Sequence, residues 1–372
     1  MDRSTWIHVC PSWIAGPRSA HSKFGGGVVI GGIKRVEDRL LAIKERFPND
    51  RSSGHVFHEV AYGDPVYAHL NNPNAISFAD LLKGMEAGKY PLWSAMTSPA
   101  FGLPGVENGA ILNPNPEIVA IAHYGHTTAI RWSKLLKKLG LGLGHTIWWP
   151  AFDSRLHRGL LSSMCVEQAW EKLFAFWIRI LQAIPDEDVC EEGDVEHEYK
   201  PAVPGERDWI PTPQASRNFC LELNRRVGRK AMVINTESAH PLIGGFTVKE
   251  ATSIQLGIDD RTPLKVDSPG CLFDGLVHVN SAELAIVQWN STGIEIVAGT
   301  PGDDSDWAVG EGGEERWDDQ QEAVGLLNET GMVIAAEHDI DPSGEDPMEC
   351  YARSRANLET MIANVWKLPA AA

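Results

Sequence analysis

Carboxylates and histidines in this chain fall at the ends of short apolar runs, where a strand would present them to a ligand. The run Val195–Lys200 closes on Glu198-Tyr199-Lys200-Pro201. Ala231–Asn235 leads into Thr236-Glu237-Ser238-Ala239-His240, and Leu272–Asn280 carries His278-Val279-Asn280. The run from Gly331 closes on Glu337-His338-Asp339, and Asp303, Asp304 and Asp306 stand in a glycine-containing loop. One such ending is ordinary for a capped or paired structural residue. Four successive endings of metal-ligand type point to a shared cation, because carboxylates facing one axis repel one another unless a divalent ion neutralises them. Mixed oxygen and imidazole ligation suits Mn2+, Co2+, Zn2+ or Mg2+, and the lack of paired cysteines argues against structural zinc or an iron–sulfur cluster. Glu237-x-x-His240 can supply two ligands from one loop; the plainer reading is a helix-start carboxylate beside a surface histidine. An ion so held can polarise a carbonyl and lower the pKa of a neighbouring hydroxyl.

Those endings need elements to position them. The sequence predicts strands at 55–60, 90–96, 144–149, 195–200, 231–235, 272–280 and 331–336. Between and after them it predicts helices over 78–87, 118–139, 164–183, 216–227, 248–256, 318–327 and 348–365. Steady strand–helix alternation means parallel strands with right-handed crossovers. Seven or eight such units without a dinucleotide glycine fingerprint favour a closed (β/α)8 TIM barrel over a doubly wound open sheet. The expectation is one α/β barrel domain over 1–372 with loop insertions, its C-terminal segment 348–372 packed on the barrel or on a neighbouring subunit. Catalytic groups in that fold lie just past the C-terminal ends of strands.

The 372 residues carry 33 Lys+Arg against 50 Asp+Glu, a net charge of −17. That balance argues against nucleic acid or an anionic membrane surface as the main partner, since phosphates need a basic patch. Six dispersed cysteines read as reduced, mostly buried thiols. Met1–Cys10 has no apolar leader region and no apolar run approaches a membrane span, so a cytoplasmic protein is expected. His123 and His126 share a helical face and read as a packing seam. His8, His55 and His58 fall on early strands, with His58 placed to reach the mouth of the barrel.

The order of motifs resembles the L-rhamnose isomerase-like group of xylose isomerase-type barrels. Pro11-Ser12-Trp13-Ile14-Ala15-Gly16 is similar to its opening stretch, and Trp148-Trp149-Pro150-Ala151-Phe152-Asp153 to its Trp-bearing strand end. Glu198-Tyr199-Lys200-Pro201 with Pro204 matches its Glu-Tyr-Lys-Pro-x-x-Pro motif and is the most specific piece. Glu237 and His240 stand on its Asp-x-x-His, and His278 with Asn280 on its His-x-Asn. Asp304-Ser305-Asp306-Trp307-Ala308-Val309-Gly310 stands on its Asp-rich loop.

The resemblance implies that Glu198, Glu237 and His278 ligate a divalent metal, Mn2+ first, with Asp339 or Glu337 as fourth ligand and Asp339 slightly preferred. It implies a second metal held by His240 and Asp304 with Asp306 nearby. Lys200 would hydrogen-bond the carbonyl-end oxygens of a sugar, and Trp148 or Trp149 would pack against its carbon face. Homo-oligomers, dimers or tetramers, are common in the group. Three departures are Glu237 in place of Asp, the long spacing that makes 281–300 an insertion, and no match near Leu103–Asn108 for a substrate-binding histidine.

The function expected from these residues is a metal-dependent isomerase that interconverts an aldose and a ketose at C1/C2. The alternative is a keto-sugar 3-epimerase or another carbohydrate-modifying enzyme of the same barrel group. A non-catalytic sugar-binding barrel and an apurinic-site endonuclease rank lower, the latter because the charge is strongly negative.

Overall fold

Apolar runs and capped amphipathic stretches give, in the computed structural model, an alternating chain of strands and helices. The order is β1 (Thr5–Val9), α1 (Val36–Arg46), β2 (Ser52–His55), β3 (Val60–Ala61), β4 (Ile76–Ser77), α2 (Phe78–Glu86), β5 (Trp93–Thr97), α3 (Pro116–Lys138) and β6 (Gly142–Trp148). It continues with α4 (Val166–Gln182), β7 (Val195–Glu198), α5 (Pro213–Val227), β8 (Met232–Asn235), α6 (Val248–Leu256), β9 (Leu276–His278), β10 (Ile286–Asn290) and β11 (Gly293–Val297). Helix α7 (Glu314–Asn328), strand β12 (Val333–Glu337) and helix α8 (Pro347–Val365) close it. The structure describes residues 3–16, 32–97, 103–106, 109–149, 165–200, 210–238, 240–241, 245–258, 272, 276–278, 286–290, 293–297, 314–338 and 346–366. Of 276–278, 286–290, 293–297 and 314–316 it describes the backbone alone.

The chain forms two compact units, Val9–Asn235 and Met1–His8 with Thr236–Ala372. In the first, a sheet of order β2-β5-β6-β7-β8 is parallel at every neighbouring pair. Parallel neighbours need crossovers, and α3, α4 and α5 supply those from β5 to β8. Local chemistry fixes the helix ends. Asn115 caps α3 by accepting from the Glu117 N–H at 3.0 Å, and Pro116 occupies the first helical position. Thr212 caps α5 on the Ala215 N–H at 3.2 Å, and Gly228 closes it at φ 88°. The apolar stripe of α4, including Leu173, Trp177, Ile180 and Leu181, is buried. Trp148 of β6 packs against it, 4.7 Å from Trp177 and 5.7 Å from Phe219 of α5 between ring centroids. Burying a side chain such as Phe219 is worth about 2 kcal/mol.

Strand alternation sends neighbouring residues to opposite faces of this sheet. On β7, His197 meets Ser216 of α5 at 2.6 Å, whereas Glu196 meets His145 of β6 at 2.5 Å on the other face. Burial pushes the His197 pKa down to about 3, so its imidazole is neutral. Just before β7, the fully buried Asp194 carboxylate is paired with Lys134 at 2.5 Å and with Arg229.

The strand expected over 55–60 is not there. The strand is Ser52–His55, and Phe57 takes φ 75°, a left-handed value that turns the chain back. The Glu59 N–H then bonds the His55 carbonyl at 2.9 Å, and Val60–Ala61 goes on to pair with Ile76–Ser77.

In the second unit the sheet order is β1-β12-β9, with β12 and β9 parallel. Leu256, Val324, Leu327, Ile334, Ala336, Leu358 and Met361 form its core, so α6, α7 and α8 all reach β12's cluster. Asp346 caps α8 on the Met348 N–H at 2.8 Å, with Pro347 at the first position. Within the insertion read at 281–300, β10 and β11 pair as an antiparallel hairpin that closes at Asn290↔Gly293. Among the described residues no helix is long and apolar enough to cross a membrane. The described cysteines are free thiols, with Cys10, Cys220 and Cys350 buried.

Candidate active site at the strand ends

The five strands of the first sheet run the same way, so their C-terminal ends share one edge. Glu198 ends β7, is buried, and lies opposite Asn235, the last residue of β8, in the ladder. The chain leaving β8 carries Glu237 two residues on, and the His240 backbone N–H turns back to the Glu237 carbonyl at 3.1 Å. That turn sets His240 Nε2 2.6 Å from Glu237 Oε2, both side chains 3% exposed. One ligand atom from each of Glu198, Glu237 and His240 lies within 4.8 Å of the others. Two buried carboxylates so close repel each other until a cation joins them. Two carboxylate oxygens and an imidazole nitrogen are a donor set for Mn2+, Co2+, Zn2+ or Mg2+. The residues fit a divalent ion.

The other sequence-derived candidates fall as follows. Lys200 is half-buried two residues past β7. Glu337 ends β12, is fully buried, and stands opposite His278 in the β12–β9 register. Its neighbour His338 bonds Ser354 of α8 at 2.9 Å and His8 at 3.0 Å, so alternation turns Glu337 to the opposite face. Asp304, Asp306 and Asp339 lie outside the described residues.

The tryptophan pair separates. Trp148 has no exposed surface and is sealed among Trp177, Phe219 and His197, which corrects the expectation that it could lie against a sugar. Trp149, one residue on, faces the other way and meets His55 edge-on with ring centroids 5.1 Å apart. His58 is half-buried, its ring centroid 6.2 Å from that of His55.

Sequence reasoning missed the group around His55. Trp13 stacks on the His55 ring with centroids 4.3 Å apart, and Glu59 Oε2 lies 2.7 Å from His55 Nδ1. Burial pushes the Glu59 carboxyl up, but His55, His58 and Arg39 together outweigh it and bring its pKa to about 2. Two indoles around an imidazole at a strand end make an apolar wall with a polar centre, suited to the carbon face and hydroxyls of a sugar. A run read as a continuous strand hid this, because a strand would hold residues 55 and 59 a dozen ångströms or so apart, at roughly 3.3 Å per residue.

No protein-family model matches this chain, and no curated protein sequence does. Among solved structures it is similar to an L-ribulose 3-epimerase at 13% identity, covering 98% of this chain and 96% of that one, TM-score 0.58. A D-allulose 3-epimerase from Methylomonas sp. matches at 10% identity over 97% and 99%, TM-score 0.56. A 3-keto-D-glucoside 4-epimerase from E. coli matches at 15% identity over 88% and 95%, TM-score 0.53. The chain has the α/β fold of xylose isomerase-like TIM barrels. The likeness reaches that wider barrel group and does not single out its L-rhamnose isomerase branch.

Proposed function

We propose that the protein is a metal-dependent carbohydrate isomerase or epimerase that moves a proton on a carbon next to a sugar carbonyl. The observation that carries this reading is the buried Glu198, Glu237 and His240 cluster at the strand ends. These three residues would hold the ion, with His278, opposite Glu337 in the ladder, as a further ligand. The bound ion would supply Lewis acidity toward adjacent sugar oxygens. Lys200 donates hydrogen bonds to the oxygen on which negative charge develops. Asp339, or Glu337, would be the fourth ligand that the resemblance implies. A carboxylate of this set takes the proton from carbon and returns it on the same face in isomerisation, whereas epimerisation needs a second carboxylate on the opposite face of that carbon. Trp149 and Trp13 cover the carbon face of the open-chain sugar and keep water from it.

Aldose–ketose isomerisation at C1/C2 is the first form of this reaction. Epimerisation at C3 is the second, favoured by the names of two of the similar structures. Both remove a proton beside a carbonyl and differ in the carbon that exchanges it, C1 or C2 in isomerisation and C3, from one face to the other, in epimerisation. Incubating a ketose panel in D2O and reading the products by NMR separates them: isomerisation places deuterium at C1 or C2, epimerisation at C3. Glu198→Gln is expected to lose both bound metal, read by elemental analysis, and turnover. A folded Glu198→Gln protein with full metal content and activity would refute the reading.

A further inference from the structure

Asn235, the last residue of β8, is fully buried, and among the described residues neither its Oδ1 nor its Nδ2 has a hydrogen-bond partner. No other described side chain has two such atoms. A buried amide left unpaired costs stability, and folded chains pair nearly all such groups, so one that stays open calls for a reason.

The β7–β8 ladder fixes where this amide faces. His197 pairs with Ile234 in it, and Glu198 with Asn235. His197 turns to α5, where it meets Ser216 at 2.6 Å. Successive residues alternate, so Glu198 and Asn235 both turn to the opposite face, at the edge where the strands end. Glu196, two residues before Glu198, marks that same face by its 2.5 Å contact with His145 of β6. Glu198 belongs to the buried cation cluster, and Asn235 stands beside it across the ladder.

An amide presents an acceptor and a donor side by side in one plane. A cation would take Oδ1 alone and leave Nδ2 unpaired. A carboxylate or phosphate would take Nδ2 alone, and would bring a second anion next to Glu198. Two hydroxyls on adjacent carbons satisfy both atoms: one donates to Oδ1 and its neighbour accepts from Nδ2. An asparagine reads the edge of an adenine by the same bidentate fit.

We propose that Asn235 is a substrate-binding residue whose amide recognises a pair of hydroxyls on adjacent carbons of the sugar, beside the cluster that would hold the ion. That the diol belongs to a sugar rests on the carbohydrate reading above; the open, buried amide next to Glu198 does not.

Pentitols test this, because they carry the hydroxyls of a sugar but no carbonyl, so binding is read without turnover. Ribitol, xylitol, D-arabinitol and L-arabinitol are titrated by calorimetry into the full-length protein with saturating Mg2+. The wild type is expected to bind them unequally, because the configuration at neighbouring carbons decides whether both hydroxyls reach one amide. Asn235→Leu, close in size and without polar atoms, should weaken the best of them about tenfold or more, the worth of two hydrogen bonds, and should level the differences among them. Mg2+ affinity, measured without polyol, should stay as it is in the wild type. If leucine does not fit, Asn235→Ala carries the same comparison. Unchanged pentitol binding in the folded variant overturns the proposal and leaves the amide to water. Loss of Mg2+ binding in the variant also overturns it, by making Asn235 a cation ligand. So does an equal weakening of every pentitol with their order kept, which is what a merely structural role would give, and so does a wild type that binds Mg2+ and no pentitol. If the wild type does not bind Mg2+, the cation reading fails, while pentitol binding that depends on Asn235 still decides this one.

Discussion

Trp148 and Trp149 are consecutive residues whose indoles lie on opposite faces of the same sheet. The first is locked between α4 and α5, 4.7 Å from Trp177; the second lies beside His55 at the strand-end edge, 5.1 Å between ring centroids. Trp148→Ala should therefore cost about 3–5 kcal/mol of stability, the usual range for emptying a large aromatic site. Trp149→Ala should cost far less stability and weaken sugar binding instead, by about tenfold at most, the worth of one aromatic contact. Denaturant unfolding and ligand titration of both variants check the pair. Equal stability losses would contradict the separation.

Phe57 gives a reversal of the normal glycine penalty. It is 1% exposed and holds φ 75°, so both substitutions empty the same site. Phe57→Ala should lose about 3–5 kcal/mol. Phe57→Gly should lose about 1 kcal/mol less, although glycine in ordinary backbone is worse than alanine, because only glycine takes the left-handed turn without strain. The comparison needs only two unfolding curves. A glycine variant less stable than the alanine variant would place the strain elsewhere.

Acid should weaken the unit that contains His8. Burial, then the nearby Arg355 charge, lowers the His8 pKa from 6.5 to about 3. The unfolded chain then binds a proton that the folded chain refuses. Stability from this group is complete above 6.5 and is lost as pH falls from there toward 3. The expected loss is about 1 kcal/mol on going from about pH 7 to 5.5. His8→Gln should flatten that slope, as measured by unfolding at the two pH values; an unchanged slope would assign the effect to other groups.

Removing divalent metal should lower the melting temperature, and adding it back should raise it. Saturation at a hundred times the dissociation constant adds about 2.7 kcal/mol. Glu237→Gln should abolish most of that gain, while Glu222→Gln, on the exposed face of α5 and paired with Arg225 and Arg226, should leave it untouched. Thermal melts with EDTA and with Mn2+ read this directly. A melting temperature indifferent to metal in the wild-type protein would count against the cation site.

The sequence alone determined the alternation of strands and helices, the parallel α/β class, and the strand-end positions of Glu198, Glu237, His240 and Glu337. Those are local properties: periodicity, caps and punctuation lie within a few residues of one another, and strand ends follow from them. Only the tertiary structure decided which of Trp148 and Trp149 faces the helices, because that depends on where α4 and α5 come to rest. Only it brought Glu59 back onto His55, through one left-handed residue in a run whose composition reads as plain strand. Arg39 entered the same group from α1, across the intervening chain, by a contact that no spacing in the sequence encodes. Chain reversals and side-chain meetings between distant elements are set by packing, and packing is a property of the folded chain.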